Sequence, residues 1–367
     1  MSIGDQAQGA VGTPAVAATA AQEGAPARRL RFSGDGQTYF GIWIVNILFS
    51  VLTLGVYSAW AKVRTRRYFY GNTTLGADAF DYHADPIAIL KGRLIAVAVI
   101  GLLYFLDWFS YELYGFAIVV LLLAAPWILN RSMRFNARMT SWRNVRFDFH
   151  GDYWSAFTAI LLMPALAAIS LGLLLPVATR VRQNYILNRL ELGTAPFKAS
   201  IYDRQLYAGL LYAVLTFVAG LAILALLFSL FLSVFGMGRY DVEIAMRTYS
   251  QIGVYLGLLV FFMATVVYRA VAYRVAMNAT SLKGAGRLWS GLSPARMLWI
   301  TVSNTLAIIA TLGLFYPWAR VRSWRYKTEQ TGIVATGDLG AFVDAQTAAG
   351  KAYASEYADL ADVDIGF

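Results

Sequence analysis

The sequence predicts an all-α integral membrane protein, and three observations lead to this fold class. The chain of 367 residues is 58% hydrophobic and only 14% charged, whereas an average soluble domain is roughly 25% charged. Several apolar runs approach or exceed the roughly 18 residues that indicate a membrane span. The clearest run, residues 207–235, carries no charge. In addition, one basic and aromatic stretch recurs along the chain.

The recurring stretch closes an apolar run and opens a basic one. Residues 53–68, TLGVYSAWAKVRTRRY, match residues 311–326, TLGLFYPWARVRSWRY, at nine of sixteen positions without a gap. A weaker copy, SLGLLLPVATRVRQNY, covers residues 170–185. In all three copies a glycine precedes a tyrosine by thirteen residues. This fixed spacing predicts internal repeats.

Seven apolar segments are predicted. They lie at about 39–61, 89–109, 114–129, 155–178, 207–235, 252–268 and 297–319. Segments one, four and seven contain the repeats and either span the membrane or re-enter it. Charge favours re-entry, because only then do all strongly basic loops face the cytoplasm. Length favours spanning, because a helix of about 24 Å would need a nearly extended return. Both alternatives remain open at this point.

Polar stretches between the segments predict small extended pieces on the cytoplasmic face. Leu75-Gly76 and Phe80 are echoed by Leu192-Gly193 and Phe197. The predicted regions are a disordered tail at 1–27, a polytopic membrane domain at 28–340 with repeats at about 30–86, 145–205 and 287–340, and an acidic tail at 341–367.

Composition excludes several classes of site. The chain has no cysteine and only two histidines, His83 and His150, so disulfides and thiolate metal sites are excluded and no cofactor is predicted. The formal charge of +10 is explained by basic cytoplasmic loops, and no nucleic-acid partner is predicted. No nucleophile–base pair is visible in the sequence, which therefore does not indicate an enzyme.

The repeats also supply the candidate ligand-binding residues. Within the first copy a tryptophan, an arginine and a tyrosine follow one another at helical i, i+4, i+8 spacing, and an asparagine lies nine residues before the glycine. The residues are Asn46, Trp60, Arg64 and Tyr68, with Asn304, Trp318, Arg322 and Tyr326 at the matching positions. Such side chains could bind an anionic ligand or lipid headgroup, or form an interfacial anchor and a polar helix–helix contact.

The sequence resembles the YjgN-like family of bacterial inner-membrane proteins, a domain of unknown function. The residues that carry the resemblance are the TLG and WAKVR motifs within 32–69, the LKGR motif at 90–93 and the third copy within 304–326. The resemblance covers about 30–340 and implies a multi-pass protein of the bacterial inner membrane. The middle copy departs from the motif, with Val177 where the others have tryptophan. The resemblance implies no activity.

Two functions are therefore predicted as alternatives. Internal repeats, helices broken by glycine and proline, and intramembrane amides are typical of transporters, which favours a transporter or channel-like protein for an anionic small molecule. The alternative is a structural or lipid-interacting protein without transport activity. The predicted partners are the lipid bilayer, anionic phospholipid headgroups and a small anionic solute.

Overall fold

In a computed structural model that describes residues 27–234 and 239–349, ten short strands form a closed antiparallel barrel. The strands are β1 (Arg28–Phe32), β2 (Thr73–Leu75), β3 (Asp78–Tyr82), β4 (Thr140–Trp142), β5 (Val145–Phe149), β6 (Leu190–Leu192), β7 (Ala195–Ala199), β8 (Thr280–Leu282), β9 (Gly286–Ser290) and β10 (Thr331–Ala335). Each strand pairs with its neighbours in the chain. The barrel closes where β1 pairs with β10, with Arg28 opposite Ile333 and Arg29 opposite Gly332.

Five pairs of helices connect these strands in the described part of the chain. The pairs are α1 (Gly36–Leu52) with α2 (Ser58–Gly71), α3 (Pro86–Phe109) with α4 (Tyr111–Arg138), α5 (Tyr153–Ile169) with α6 (Leu175–Asn188), α7 (Asp203–Val234) with α8 (Arg239–Asn278), and α9 (Pro294–Ala310) with α10 (Tyr316–Glu329). In each pair the first helix leads away from the barrel and the second, which we call the return helix, leads back to the next strand. A further helix, α11, follows β10 at 339–349.

The predicted all-α fold with seven apolar segments is wrong. Besides the barrel, the described chain has four helices long and apolar enough to cross a membrane, which are α3, α4, α7 and the part of α8 from Ile252 onward. Segments one, four and seven correspond to α1, α5 and α9. These helices of 17 residues are about 25 Å long, less than the roughly 30 Å of a bilayer core. The three short pairs are therefore too short to span the bilayer core, and each returns to the barrel it left, which favours re-entry over spanning.

The expected conflict between length and charge disappears because the return path is helical. The return from Gly55 had been expected to need extended backbone, but α2 starts at Ser58 and continues through the basic residues to Gly71. Its backbone groups are therefore satisfied within the helix, as they must be in lipid. The basic residues of the repeats lie on the return helices and lead toward the barrel.

The threonine–leucine–glycine motif forms the turn at the membrane end of the first short pair. The Thr53 hydroxyl donates a hydrogen bond to the Phe49 carbonyl at 2.7 Å and accepts one from the Tyr57 amide at 2.9 Å. Gly55 has φ +92°, a left-handed conformation that favours glycine. Thr311 makes both corresponding bonds, and Ser170 accepts from the Leu174 amide but donates to the Ala167 carbonyl, three residues earlier. The motif thus reverses the chain while satisfying backbone groups of the turn.

Most of the first helices begin at a side-chain cap placed three residues after a strand ends. Asp35, Asp85, Asp152 and Ser293 each accept a hydrogen bond from a backbone amide of the following helix. Such caps satisfy the free amides of the first helical turn. Together, the barrel register and these caps fix where each helical pair leaves the ring.

The interior of the barrel is an apolar core, and α11 covers one end of it. Trp142, Leu192, Phe197 and Ile333 from the strands pack with Leu339, Phe342 and Val343 from α11. The Gln346 side chain of α11 accepts hydrogen bonds at 2.8 Å from the amide and the hydroxyl of Thr194, in the β6–β7 turn. The barrel is therefore closed at its turn end.

The predicted tails fall largely outside the structure. Residues 1–26 of the proposed disordered tail and residues 350–367 of the acidic tail lie outside the described residues. The first part of the acidic tail, 341–349, belongs to α11.

Labelling of single introduced cysteines should test this topology, since the chain has no cysteine of its own. Cysteines at Ala77, Lys198 and Lys283, exposed on the barrel, should all react with an impermeant maleimide from one side of the membrane. A cysteine at Tyr111, between α3 and α4, should react only from the other side. Labelling at Lys198 and Ala77 from opposite sides would mean that the short pairs cross the membrane.

Candidate functional site

The five return helices converge on the barrel axis, where they surround a chamber of about 450 Å³. Each of them contributes to the wall; representative residues are Tyr70, Asn136, Ile186, Tyr273 and Lys327. The wall is mostly apolar and aromatic with a few polar groups, the usual lining of a small-molecule site. Because the chamber lies where all five helical pairs meet, it is the main candidate functional site.

Lys327 is the charged residue of this chamber wall. Its ammonium nitrogen lies 4.3 Å from the centre of the Tyr273 ring, close enough for a cation–π contact. No aspartate or glutamate lines the chamber in the part of the chain that the structure describes. The side chain is accessible, yet the surrounding protein lowers the pKa of Lys327 by desolvation. The chamber thus presents a positive charge with no carboxylate beside it.

Threonines at the start of the strands fix the ends of the return helices. Thr73, Thr140, Thr280 and Thr331 each donate a hydrogen bond, 2.6–2.9 Å long, to the carbonyl four residues earlier. Two of them also hold wall residues: the Trp324 indole donates to Thr73 at 3.2 Å, and the Tyr273 and Thr331 hydroxyls are 3.1 Å apart. The Tyr273 ring that Lys327 contacts is therefore itself held by a hydrogen bond to Thr331.

The two predicted asparagines lie between the helices of their own pairs. The Asn304 amide donates to the Ala319 carbonyl at 3.0 Å and to the Ser323 hydroxyl at 3.1 Å. Asn46 makes the corresponding contacts with Ala61 and Thr65 at 3.5 Å. Each asparagine therefore joins a first helix to its return helix.

The two predicted arginines differ. Arg322 donates to the Ser303 hydroxyl at 2.8 Å and to the Asn304 carbonyl oxygen at 3.2 Å. Arg64, at the matching position, is exposed, and the carbonyl oxygen of Asn46 is buried without a hydrogen-bond donor.

The predicted tyrosines hold the bases of the short pairs. The Tyr68 hydroxyl accepts a hydrogen bond from the Asp35 amide at 2.8 Å and donates one to the Asp35 carbonyl at 2.6 Å. Tyr326 likewise accepts from the Ser293 amide at 2.9 Å. The constant spacing between the glycine and the tyrosine is therefore the length of chain that leads from the turn back to the N-cap of the first helix.

The predicted tryptophans pack against other aromatic rings. Trp60 stacks on Tyr57 at 6.2 Å between ring centres, and Trp318 stacks on Phe40 at 5.1 Å. None of the eight predicted residues belongs to the lining described for the axial chamber. Of the eight, Asn46 alone lines a second cavity, between α1, α2 and α10, which is described below. Sequence reasoning missed Lys327 and Tyr273 as a pair, because they lie on helices of different pairs, α10 and α8, and meet only through the packing of these neighbouring pairs.

The described residues offer no metal-binding group. Within 27–234 and 239–349, no cluster of three or more histidine, aspartate or glutamate side chains could hold an ion.

Removing the two arginines separately should distinguish their roles. We expect Arg322→Ala to lower the free energy of unfolding by about 2 kcal/mol, because charge-assisted hydrogen bonds contribute roughly 1.5–3 kcal/mol. Arg64→Ala should change it by less than about 0.5 kcal/mol, the usual range for exposed positions. Unfolding in mixed micelles measures both. Equal losses would show that Arg64 also has a structural partner.

Comparison with known proteins gives the family. Inner membrane protein YjgN of Salmonella typhimurium is 27% identical over 354 residues, which are 84% of this chain and 89% of the relative. Inner membrane protein YjgN of Escherichia coli K12 is 29% identical over 161 residues, 42% of this chain and 39% of the relative. No solved structure matches.

These comparisons confirm the predicted YjgN-like resemblance and the location in the bacterial inner membrane. The family described as "Bacterial protein of unknown function (DUF898)" matches residues 27–360. The chain is an inner-membrane protein and belongs to this DUF898 family.

Proposed function

We propose that the protein is a channel-like or transport protein that binds a small organic anion in the axial chamber. The observation that carries the proposal is the convergence of all five return helices on one chamber whose wall holds Lys327 without a carboxylate. Desolvation by the chamber wall disfavours the charged form of Lys327 and lowers its pKa, and an anion from solution would offset that cost. The aromatic wall, including Tyr70 and Trp324, suits a molecule with an apolar body.

In this proposal the transport path runs from the chamber along the barrel axis. One end of the chamber adjoins the apolar barrel interior, which α11 covers with Phe342 and its neighbours. Movement of an anion through the barrel therefore requires the packed side chains of the interior to rearrange and α11 to leave its position. The contact between Gln346 and the β6–β7 turn is the polar part of this closure, and it is the part that water can replace.

A second candidate function is interaction with lipid without transport. It is favoured by the membrane turns of the three short pairs, where Leu54, Leu171 and Leu312 are 95–96% exposed. Each leucine lies among other exposed apolar side chains of its turn, including Leu52, Leu173 and Leu314, and contiguous apolar patches of this kind mark surfaces that contact a membrane or a partner. Three such turns would anchor the barrel to the bilayer whether or not anything passes through it.

Binding of benzoate to the purified protein should test the chamber. We expect Lys327→Met to weaken binding by about ten- to hundredfold, because a hydrogen bond to a charged group contributes roughly 1.5–3 kcal/mol. Binding to the wild type should weaken as pH rises through the lowered pKa of Lys327, since lysine is charged only below its pKa; the variant should lack this dependence. Isothermal titration measures both.

Lys283→Met is the matched control, because Lys283 is exposed in the β8–β9 turn. It should bind benzoate as the wild type does. Equal affinity in the wild type and in Lys327→Met would contradict the proposed site.

A reversible lock on α11 should separate transport from binding. A Cβ atom built on Gly193 would lie 3.3 Å from the Cβ atom of Gln346, near the roughly 3.5–4.5 Å that a disulfide spans. Oxidised Gly193→Cys/Gln346→Cys protein in liposomes should therefore stop benzoate flux, and reduction should restore it. Undiminished flux in the fully oxidised protein would exclude a path past α11.

A further inference from the structure

A second cavity, independent of the axial chamber, opens on the side of the molecule. It is a cleft of about 610 Å³ between α1, α2 and α10. Asn46 and Ser50 line it from α1, Lys62 and Arg66 from α2, and Arg320 from α10. We call it the lateral cleft.

Among the residues that the structure describes, no acidic side chain pairs with the cations of the lateral cleft. Lys62 makes no hydrogen bond or ion pair with any side chain that the structure describes. Arg66 donates to the Tyr82 hydroxyl at 2.7 Å and to the side-chain oxygen of Asn136. Arg320 donates to the Tyr316 hydroxyl at 3.2 Å and lies over the Phe69 ring at 5.2 Å. All these partners are neutral, so the cleft keeps three positive charges.

Two of these cations lie at the same distance from the barrel on two return helices, α2 and α10. Lys62 and Arg320 each lie nine residues before the last residue of their helix, Gly71 and Glu329, which corresponds to about 14 Å along the axis. Beyond them the helices lead to the exposed leucines of the membrane turns. Charges this far toward the bilayer core are costly unless an anion or water accompanies them.

The lining of the cleft has a charged part and an apolar part, as a phospholipid has a charged headgroup and apolar chains. Toward the membrane turn the cleft is lined by Ile47 and Val51, which are 40% and 68% exposed. Asn46, only 6% exposed, leaves its carbonyl oxygen without a donor, whereas Asn304 receives one from Arg322. An amphiphile with a phosphate, a hydroxyl and acyl chains complements all three features.

We propose that the lateral cleft binds the headgroup of an anionic phospholipid. Lys62 and Arg320 contact the phosphate, the polar groups of α1 face the rest of the headgroup, and the acyl chains follow Ile47 and Val51 toward the membrane turn. A free phosphate ion would satisfy the cations but would leave the exposed apolar lining unused.

Native mass spectrometry of the detergent-solubilised full chain, titrated with phosphatidylglycerol, tests this proposal. Lys62→Gln should weaken binding by about ten- to hundredfold, while Lys62→Arg should retain it. The wild type should bind phosphatidylcholine less tightly than phosphatidylglycerol. Unchanged phosphatidylglycerol binding in Lys62→Gln, or equal binding of the two lipids, would overturn the proposal.

Two controls complete the test. Lys198→Gln removes an exposed lysine of the barrel and should bind phosphatidylglycerol as the wild type does; an equal loss there would overturn a specific site. Arg320→Gln, on the other helix, should reduce binding by a similar factor and keeps the proposal falsifiable if Lys62→Gln does not fold. Displacement of the lipid by inorganic phosphate at matched concentration would identify a soluble anion as the ligand and overturn the lipid assignment.

Discussion

Closure of the barrel is the constraint on which the rest of the molecule depends. Strands of three to five residues contribute little individually, and an open sheet would leave two edges of unpaired backbone groups. Pairing of β1 with β10 removes both edges. It also arranges five helical pairs in a ring, because every pair begins and ends on adjacent strands. This ring accounts for three features of the molecule. It creates the axial chamber, it brings the basic residues of the return helices toward the barrel, and it makes each short pair return to the strand next to the one it left.

The sequence revealed the local parts of this fold but not the barrel. Apolar runs identify the long helices, and the threonine–leucine–glycine motif marks chain reversal because its hydroxyl and glycine are needed there. The echoes around Leu75 and Leu192 fall at the ends of β2 and β6. Their pairing is not visible, since the strands are too short to show an alternating pattern and β1 and β10 lie at opposite ends of the chain. Most of the pattern in the sequence comes from the helices, and the predicted fold class was therefore wrong.

As candidate site residues, the sequence drew attention to residues that make contacts within one helical pair, but to none of the residues that line the axial chamber. Asn46 and Asn304 share a repeat position because each joins the two helices of its own pair, and Tyr68 and Tyr326 share one because each holds a helix cap. These are contacts at fixed chain separation, so spacing reveals them. The contact of Lys327 with Tyr273 joins two neighbouring helical pairs, α7–α8 and α9–α10, and no spacing within one repeat encodes it.

The most direct measurement of barrel closure is a disulfide across its last seam. In purified Arg28→Cys/Ile333→Cys protein, mild oxidation should join the two cysteines, because these positions are direct partners between β1 and β10. Mass spectrometry after proteolysis would detect the cross-linked peptides. The out-of-register variant Arg28→Cys/Ala335→Cys should form far less of the cross-link. Absence of the 28–333 cross-link, or equal yields from both variants, would contradict a closed barrel in this register.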